Sequence, residues 1–412
     1  MADAPPKGSK ESAMASNPPA PADFVDSAHI AFGDVLLGDE RLGLIAAAHG
    51  KTVIVGGLER PHAAEIVPVA GAPITVDGTL RCVAVDARRG RIAVGGDAKS
   101  VHLYNVTMTP AASAGTAPTL TVAAAPQTVG PFNKRIVALC FDDATGTLYA
   151  GDKFGELYRA TFDAQTGAPT LDPKMVLSHM SMLTHVAIRK NALVTCDRDG
   201  CIRVSKLDFP DEVRGFLWTP EQPAKALLGD QAEDTVTASV AWLGDDMVTG
   251  SLDGLVTVWR GVANDAAEID GTVAAGTPKC FAPAAGTAVA GLTGGLRGLP
   301  ATVFAHYDGH GSAFVAAADG AAPKVVSSCD ENATVVAAAG PAMLLRDGSI
   351  AVSYAMPGED TVVTMATPLR FDETLDDVSV TELWHTRQPP QVQRAADDVP
   401  SAKKGPRAEA TA

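Results

Sequence analysis

The chain predicts an all-β fold, a propeller of seven blades, on three observations. Four windows of the sequence repeat one grammar, at a period of roughly 45 to 55 residues. Within each window the apolar residues alternate with polar ones, which places them on one face of a strand and not on a helical stripe. Between the second and third strands of each window lies a short polar turn.

The windows run Thr79–Val106, Arg135–Phe162, His179–Ser205 and Thr235–Gly261. Their turns align on Asp97, Asp152, Asp197 and Ser251. The period is close to the ~40 to 45 residues of WD repeats, so the fold class is all-β, a seven-bladed WD-repeat β-propeller. Three flanking windows complete the count: Leu44–Val69 as a first blade, Ala301–Val326 as a sixth and Ala333–Met365 as a seventh. Two stretches lengthen the period. Asn105–Asn133 reads as an inserted outer strand plus a loop, and Phe209–Asp234 as a second insertion. The Ala-rich runs lack a 3.6-residue apolar stripe and are broken by Gly and Pro, which argues against a bundle of short helices.

The propeller is expected over residues 23–380, with a disordered leader at 1–22 and a polar, Pro-containing tail at 381–412. The leader has Lys7 and Lys10 but no apolar segment behind them, unlike a secretion signal. Of the 412 residues 46% are hydrophobic and 20% charged, a globular balance. No apolar run approaches the roughly 20 residues of a membrane span, so the chain reads as soluble with no membrane partner. A net charge of -15 argues against a protein that grips a polyanion alone, because Lys and Arg supply most nucleic-acid affinity. The six cysteines (Cys82, Cys140, Cys196, Cys201, Cys280 and Cys329) form no C-x-x-C pair, and read as buried reduced thiols.

The candidate functional residues sit in the third window, HMSMLTHVAIRKNALVTCDRDGCIRVS. Asp197, Arg198 and Asp199 share one turn, and Arg203 follows on the next strand. His179 with Asp199, and Asp253 in the next window, stand where blade-maintaining hydrogen bonds are expected. Arg203 alternates with Ile202 and Val204, so it projects away from the core, where it could pair with Asp197 or Asp199. Arg198 and Arg203 are the surplus: either an exposed salt bridge or a charged docking surface for a protein.

Other constellations are weaker. His306, Asp308 and His310 offer metal-ligand types, but Gly309 and Gly311 favour a polar hairpin. Gly291, Gly294, Gly295 and Gly298 lack phosphate-loop spacing and read as a loop between blades. The chain has no G-x-S-x-G, P-loop or H-E-x-x-H, so no catalytic residue, metal ligand or cofactor is assigned.

The run from Ser178 to Ser205, with SMLT at Ser181–Thr184 and DRDGCIRVS at Asp197–Ser205, resembles the signature blade of the non-catalytic WD-repeat subunit of the tRNA (guanine-7-)-methyltransferase. AGDKFGELY at Ala150–Tyr158 is similar to that family's preceding blade. The resemblance is specific over about two blades. Ser178 replaces the family's usual Gly, His185 an Asp and Cys196 an Ala; Gly200 and Cys201 replace residues often charged or polar there.

What the resemblance implies is a scaffold, not an enzyme. It would bind a separate catalytic subunit that carries S-adenosylmethionine, as a heterodimer, and stabilise it for 7-methylguanosine formation in tRNA. Transfer RNA would be held mainly by the partner. Lys153, Asp197, Arg198, Asp199 and Arg203 match family positions at or supporting the subunit interface. The family's work on tRNA and a basic cluster at Lys403, Lys404 and Arg407 point to the nucleus, with the cytoplasm as a second compartment. The alternatives are a general WD-repeat scaffold, such as a ubiquitin-ligase or chromatin adaptor, and a propeller hydrolase.

Overall fold

The computed structural model describes residues 28–375 except 38–39, 61–65, 68, 111–117, 164–165, 170–171, 219–235, 253, 266, 274–288, 297–298, 308–310, 318–323, 328–333 and 356–360. The leader, the tail, Asp253, Asp308, His310 and Gly298 lie outside the described residues. Among the described residues, no helix is long and apolar enough to cross a membrane.

The described strands form seven sheets, ordered along the chain. Their innermost strands are Ala28–Leu37, Leu80–Asp86, Ile136–Phe141, Leu183–Arg189, Thr237–Leu243, Val289–Leu296 and Val335–Ala339. Each packs beside the next, and the last returns to the first, so the inner strands form a ring. The fold is an all-β, WD40-like β-propeller. Six of these sheets carry at least the four strands of a full blade; the sixth in order, Val289–Leu296, Leu299–Tyr307 and Gly311–Ala317, has three.

Several sequence expectations shift here. The first sheet begins earlier than Leu44, because Ala28–Leu37 supplies its inner strand. Lys324–Ser327 leaves the sixth window and pairs in parallel with Thr361–Thr364 at the edge of the seventh sheet. The glycine-rich stretch expected as a loop is the strand Val289–Leu296. Its composition has a packing reason: a Cβ on Gly291 would stand 2.6 Å from Cβ of Ala338 on the neighbouring inner strand. The Asn105–Asn133 insertion does supply an outer strand, Thr119–Val122, antiparallel to Val101–Thr109 and parallel to Val69–Ala70. The stretch expected as a second insertion begins with the fourth sheet's own outer strand, Val213–Leu217.

The ring closes by burial of apolar side chains. Among the described residues no strand is shared between the first and seventh sheets. Instead Ile45, Ile54 and Leu58 pack against Leu344, Val352 and Phe371, all at most 5% exposed. At about 25 cal/mol per Å² of apolar surface, such a seam replaces the hydrogen bonds a shared strand would supply.

Candidate functional site

The turns between second and third strands place the candidate residues, and their geometry repeats. In the third sheet Asp152 Oδ1 accepts the amides of Phe154 at 2.8 Å and Glu156 at 3.0 Å. In the fourth, Asp197 Oδ1 accepts those of Asp199 and Cys201, both at 3.0 Å. In the fifth, Ser251 Oγ accepts the amide of Leu255 at 3.0 Å. Short side chains that bond the backbone two to four residues on hold the chain in a tight reversal.

Asp97 does not belong to this set. Leu80 pairs with Gly96 as Ile136 pairs with Asp152 and Leu183 with Asp197, so Gly96 is the equivalent residue. Asp97 instead aligns with Lys153 and Arg198. It accepts Arg81 Nη2 at 3.1 Å and lies 3.8 Å from Arg135. The one-residue error arose because Gly96 has no side chain to reveal the turn.

The roles of Asp197 and Asp199 are the reverse of those expected. Asp197 is 4% exposed and its Oδ2 lies 2.9 Å from His179 Nδ1, while His179 Nε2 lies 2.7 Å from Thr195 Oγ1. Asp197 is therefore the blade-maintaining carboxylate. Cys201 brings its thiol to the same cluster, within 4.8 Å. Asp199 has a side chain 61% exposed; it accepts Ser181 Oγ at 2.9 Å and lies 3.7 Å from Arg198 Nε. Gly200 and Cys201 also serve the turn. Gly200 has φ +86, a conformation that disfavours a side chain, and Cys201 is 9% exposed with its amide on Asp197.

Arg203 pairs with neither aspartate. Its Nε donates to Ser205 Oγ at 3.0 Å and its Nη2 to the Pro210 carbonyl at 2.9 Å. The guanidinium lies 6.0 Å from the ring centre of Phe216, and burial lowers its pKa against the raising effect of Asp211. It lines a groove of about 790 Å³ between the third and fourth sheets, with Arg159, Met175, Phe209, Asp211 and Glu212 among the walls. Lys153 lies apart from it, in the third sheet's turn, 5.5 Å from the exposed Phe154 ring, which Lys134 approaches to 4.3 Å.

Composition and spacing missed a second feature. Among the described residues the exposed large hydrophobic side chains are Phe154, Met175, Met180, Phe209, Val213, Phe216 and Trp218, and all belong to the third and fourth sheets or their loops. Exposed large apolar side chains gathered on two adjacent sheets are the kind of surface that interaction sites use. FLW at Phe216–Trp218 was its visible signal in the sequence.

Two further groups singled out in the sequence lie only partly among the described residues, since Asp308, His310, Cys280 and Cys329 fall outside them. His306 is 3% exposed with Nε2 2.9 Å from Thr293 Oγ1, a core hydrogen bond between strands; burial lowers its pKa to about 4. Burial pushes the thiols of Cys140 and Cys196 up to about 12 and that of Cys201 to about 11, which suppresses the reactive thiolate.

The architecture and the turn geometry define the class: a WD40-like β-propeller with a charged, apolar-rimmed surface on two adjacent sheets. Within that class the chain resembles the non-catalytic subunit of the tRNA (guanine-N(7)-)-methyltransferase. The protein of that name from Eremothecium gossypii is 38% identical over 79 residues, 18% of this chain and 17% of the relative. That from Meyerozyma guilliermondii is 27% identical over 134 residues, 32% of this chain and 29% of the relative. That from Danio rerio is 30% identical over 133 residues, 31% of this chain and 28% of the relative. The matched segments thus span less than a third of each relative's length. No family model matches the chain. Among solved structures, the WD40 beta propeller domain of Doa1 aligns with a TM-score of 0.46 and 13% identity, covering 84% of this chain and 93% of that one. A computationally designed protein aligns at 0.47 and 12%, covering 80% and 83%.

Proposed function

We propose that this chain is the non-catalytic scaffold subunit of a tRNA (guanine-7-)-methyltransferase, a seven-bladed propeller that docks a separate catalytic subunit on its third and fourth sheets. The observation that carries the docking surface is that, among the described residues, the exposed large apolar side chains all lie on those two sheets, with Phe154 beside Lys153 and Phe216 beside Arg203. The names of the curated relatives supply the identity of the partner. The seven inner strands in a ring support the blade count, the sixth sheet having three strands among the described residues.

Arg203 suits a carboxylate of the partner. Its planar fork is held in place by Ser205 and Pro210, so little side-chain entropy is lost on binding. Phe209 and Phe216 flank it as apolar anchors, the residue types that dominate interface energetics. Arg198 and Lys153 add positive charge at the rim, which steers encounter more than it strengthens the complex. Asp197 supports the turn from below and touches no partner. S-adenosylmethionine and most of the tRNA contact belong to the catalytic subunit, the complex is a heterodimer, and it works in the nucleus.

The test is reconstitution. Purified catalytic subunit, with and without this chain, is assayed for methyl transfer to N7 of guanine in tRNA. The expected result is activity or a longer active lifetime only in the mixture, with a one-to-one complex by light scattering. No complex and no change in methylation would refute the reading.

A further inference from the structure

Three metal-ligating side chains of different kinds meet at the turn of the fourth sheet. A ring nitrogen of His179, a carboxylate oxygen of Asp197 and the thiol of Cys201 all lie within 4.8 Å of one another. Around a tetrahedral zinc ion, with bonds of about 2.0 Å to nitrogen and oxygen and about 2.3 Å to sulfur, ligand atoms stand roughly 3.3 to 3.8 Å apart. Shifts of about 1 Å or less bring the three donors to that spacing. Among the described residues no other group of His, Cys, Asp and Glu converges in this way.

The surroundings of the three are those of metal ligands, whose outer atoms are tied by further hydrogen bonds. Asp197 Oδ1 accepts the amides of Asp199 and Cys201, which leaves Oδ2 facing the cluster. His179 Nε2 lies 2.7 Å from Thr195 Oγ1; with the proton on Nε2, that bond fixes the ring and leaves a lone pair on Nδ1. Among the described residues, His179 is the only ion-pair partner of the Asp197 carboxylate, so a cation supplies charge that a buried carboxylate otherwise lacks. The turn itself does not call for a thiol. The amides of Glu156 and Leu255 bond back in the third and fifth sheets as that of Cys201 does in the fourth, yet one side chain takes the Tyr158 hydroxyl and the other is apolar.

We propose that His179 Nδ1, Asp197 Oδ2 and Cys201 Sγ bind one zinc ion, with a water molecule as the fourth ligand. The donor set selects the metal: calcium and magnesium take oxygen ligands, whereas zinc accepts thiolate, imidazole and carboxylate together. On binding, Cys201 releases its thiol proton to solvent and the His179 proton resides on Nε2, so the ion replaces the hydrogen bond between His179 and Asp197. One thiolate and one carboxylate neutralise the double charge of zinc, as suits side chains of His179 and Asp197 that are 3% and 5% exposed. Bound there, the ion links the segment that enters the fourth sheet to the turn carrying Arg198 and Asp199. This inference does not rest on the proposed methyltransferase role.

The full-length chain, stripped of metal with a chelator and kept reduced, is titrated with cobalt(II) as a coloured stand-in for zinc and then with zinc itself. One cobalt per chain is expected, with a thiolate-to-cobalt charge-transfer band in the near ultraviolet that zinc abolishes. Cys201→Ser loses the band, while Cys280→Ser keeps it. Zinc at about 100 times its Kd raises the melting temperature of the unaltered chain by roughly 5 °C and leaves that of Cys201→Ser unchanged. Absence of the band, a band that survives in Cys201→Ser, or equal thermal shifts in the two chains overturns the proposal. If Cys201→Ser does not fold, X-ray absorption of the zinc-loaded unaltered chain decides. One sulfur at about 2.3 Å with nitrogen and oxygen at about 2.0 Å supports the site, and no sulfur or more than one overturns it.

Discussion

The fourth and fifth sheets solve one folding problem in two ways. Both must hold the turn after the second strand and fill the space beneath it. In the fifth, Ser251 ties the turn and Trp259 fills the space, its indole N–H donating to Thr249 Oγ1 at 2.9 Å. In the fourth, Asp197 ties the turn and grips His179, while Ser205 stands where Trp259 does and takes a hydrogen bond from Arg203. The next position is Leu252, 6% exposed, in one sheet and Arg198, with a side chain 33% exposed, in the other. The fifth turn spends its residues on packing. The fourth secures itself with one buried His–Asp pair and carries three charged side chains, Arg198, Asp199 and Arg203, at and beside its turn.

The largest expected contrast is in stability. Asp197→Ala strands His179 and two amides and is expected to cost about 3 kcal/mol, whereas Ser251→Ala loses one amide bond and costs about 1 kcal/mol. Urea denaturation of both variants measures the difference; equal losses would mean that the two turns are equivalent. Partner binding should contrast in a different place. Under the proposed function, Arg203→Glu is expected to weaken association with a catalytic subunit by roughly 100-fold, the effect of reversing a desolvated interfacial charge. Arg260→Glu, at an exposed position of the fifth sheet, leaves it unchanged. Surface plasmon resonance against that subunit reads both, and similar effects from the two substitutions would remove the distinction between the sheets.

A smaller contrast lies in pH dependence. His185 occupies the inner-strand position held by Ser239 in the fifth sheet. Burial lowers its pKa from 6.5 to about 4. The unfolded chain therefore binds the extra proton between those values, so stability is full above about pH 6.5 and falls as pH drops towards 4. His185→Ser is expected to make that fall shallower by about one proton's worth of slope, measured by thermal melts across the range. An unchanged slope would show that the ring is accessible to water. The smallest effect is that of Arg198→Ala, within about 0.5 kcal/mol of the unaltered chain in stability, because its ion pair with Asp199 is largely exposed. A larger loss would make Arg198 part of the fold.

Much of this was legible in the chain. The alternating windows and polar turns mark third-sheet and fourth-sheet strands closely, because local hydrogen bonding and burial of one face act within a few residues. Asp197, Arg198 and Asp199 were found, but the division of labour among them was not. A turn places consecutive side chains on different sides, and which of two aspartates faces His179 depends on where the strand Ala192–Asp197 ends and the turn begins. Arg203 was read as reaching back to the acidic turn; its partners lie the other way, Ser205 two residues on along its own strand and the Pro210 carbonyl in the loop that follows, whose position the spacing does not encode.

Period, strand alternation, turn chemistry and the DRD signature are thus properties of the sequence, since each arises from neighbours along the chain. Three outcomes needed the tertiary structure. The seam between first and seventh sheets joins residues some 300 positions apart in the numbering, where only burial, not local pattern, selects the partners. The groove beside Arg203 brings Met175 of the third sheet together with Phe209 of the fourth. That Arg81 and Thr184 line one channel arises because a bulge recurs in six of the inner strands and the ring turns each of these bulges inward, an arrangement that closure alone creates.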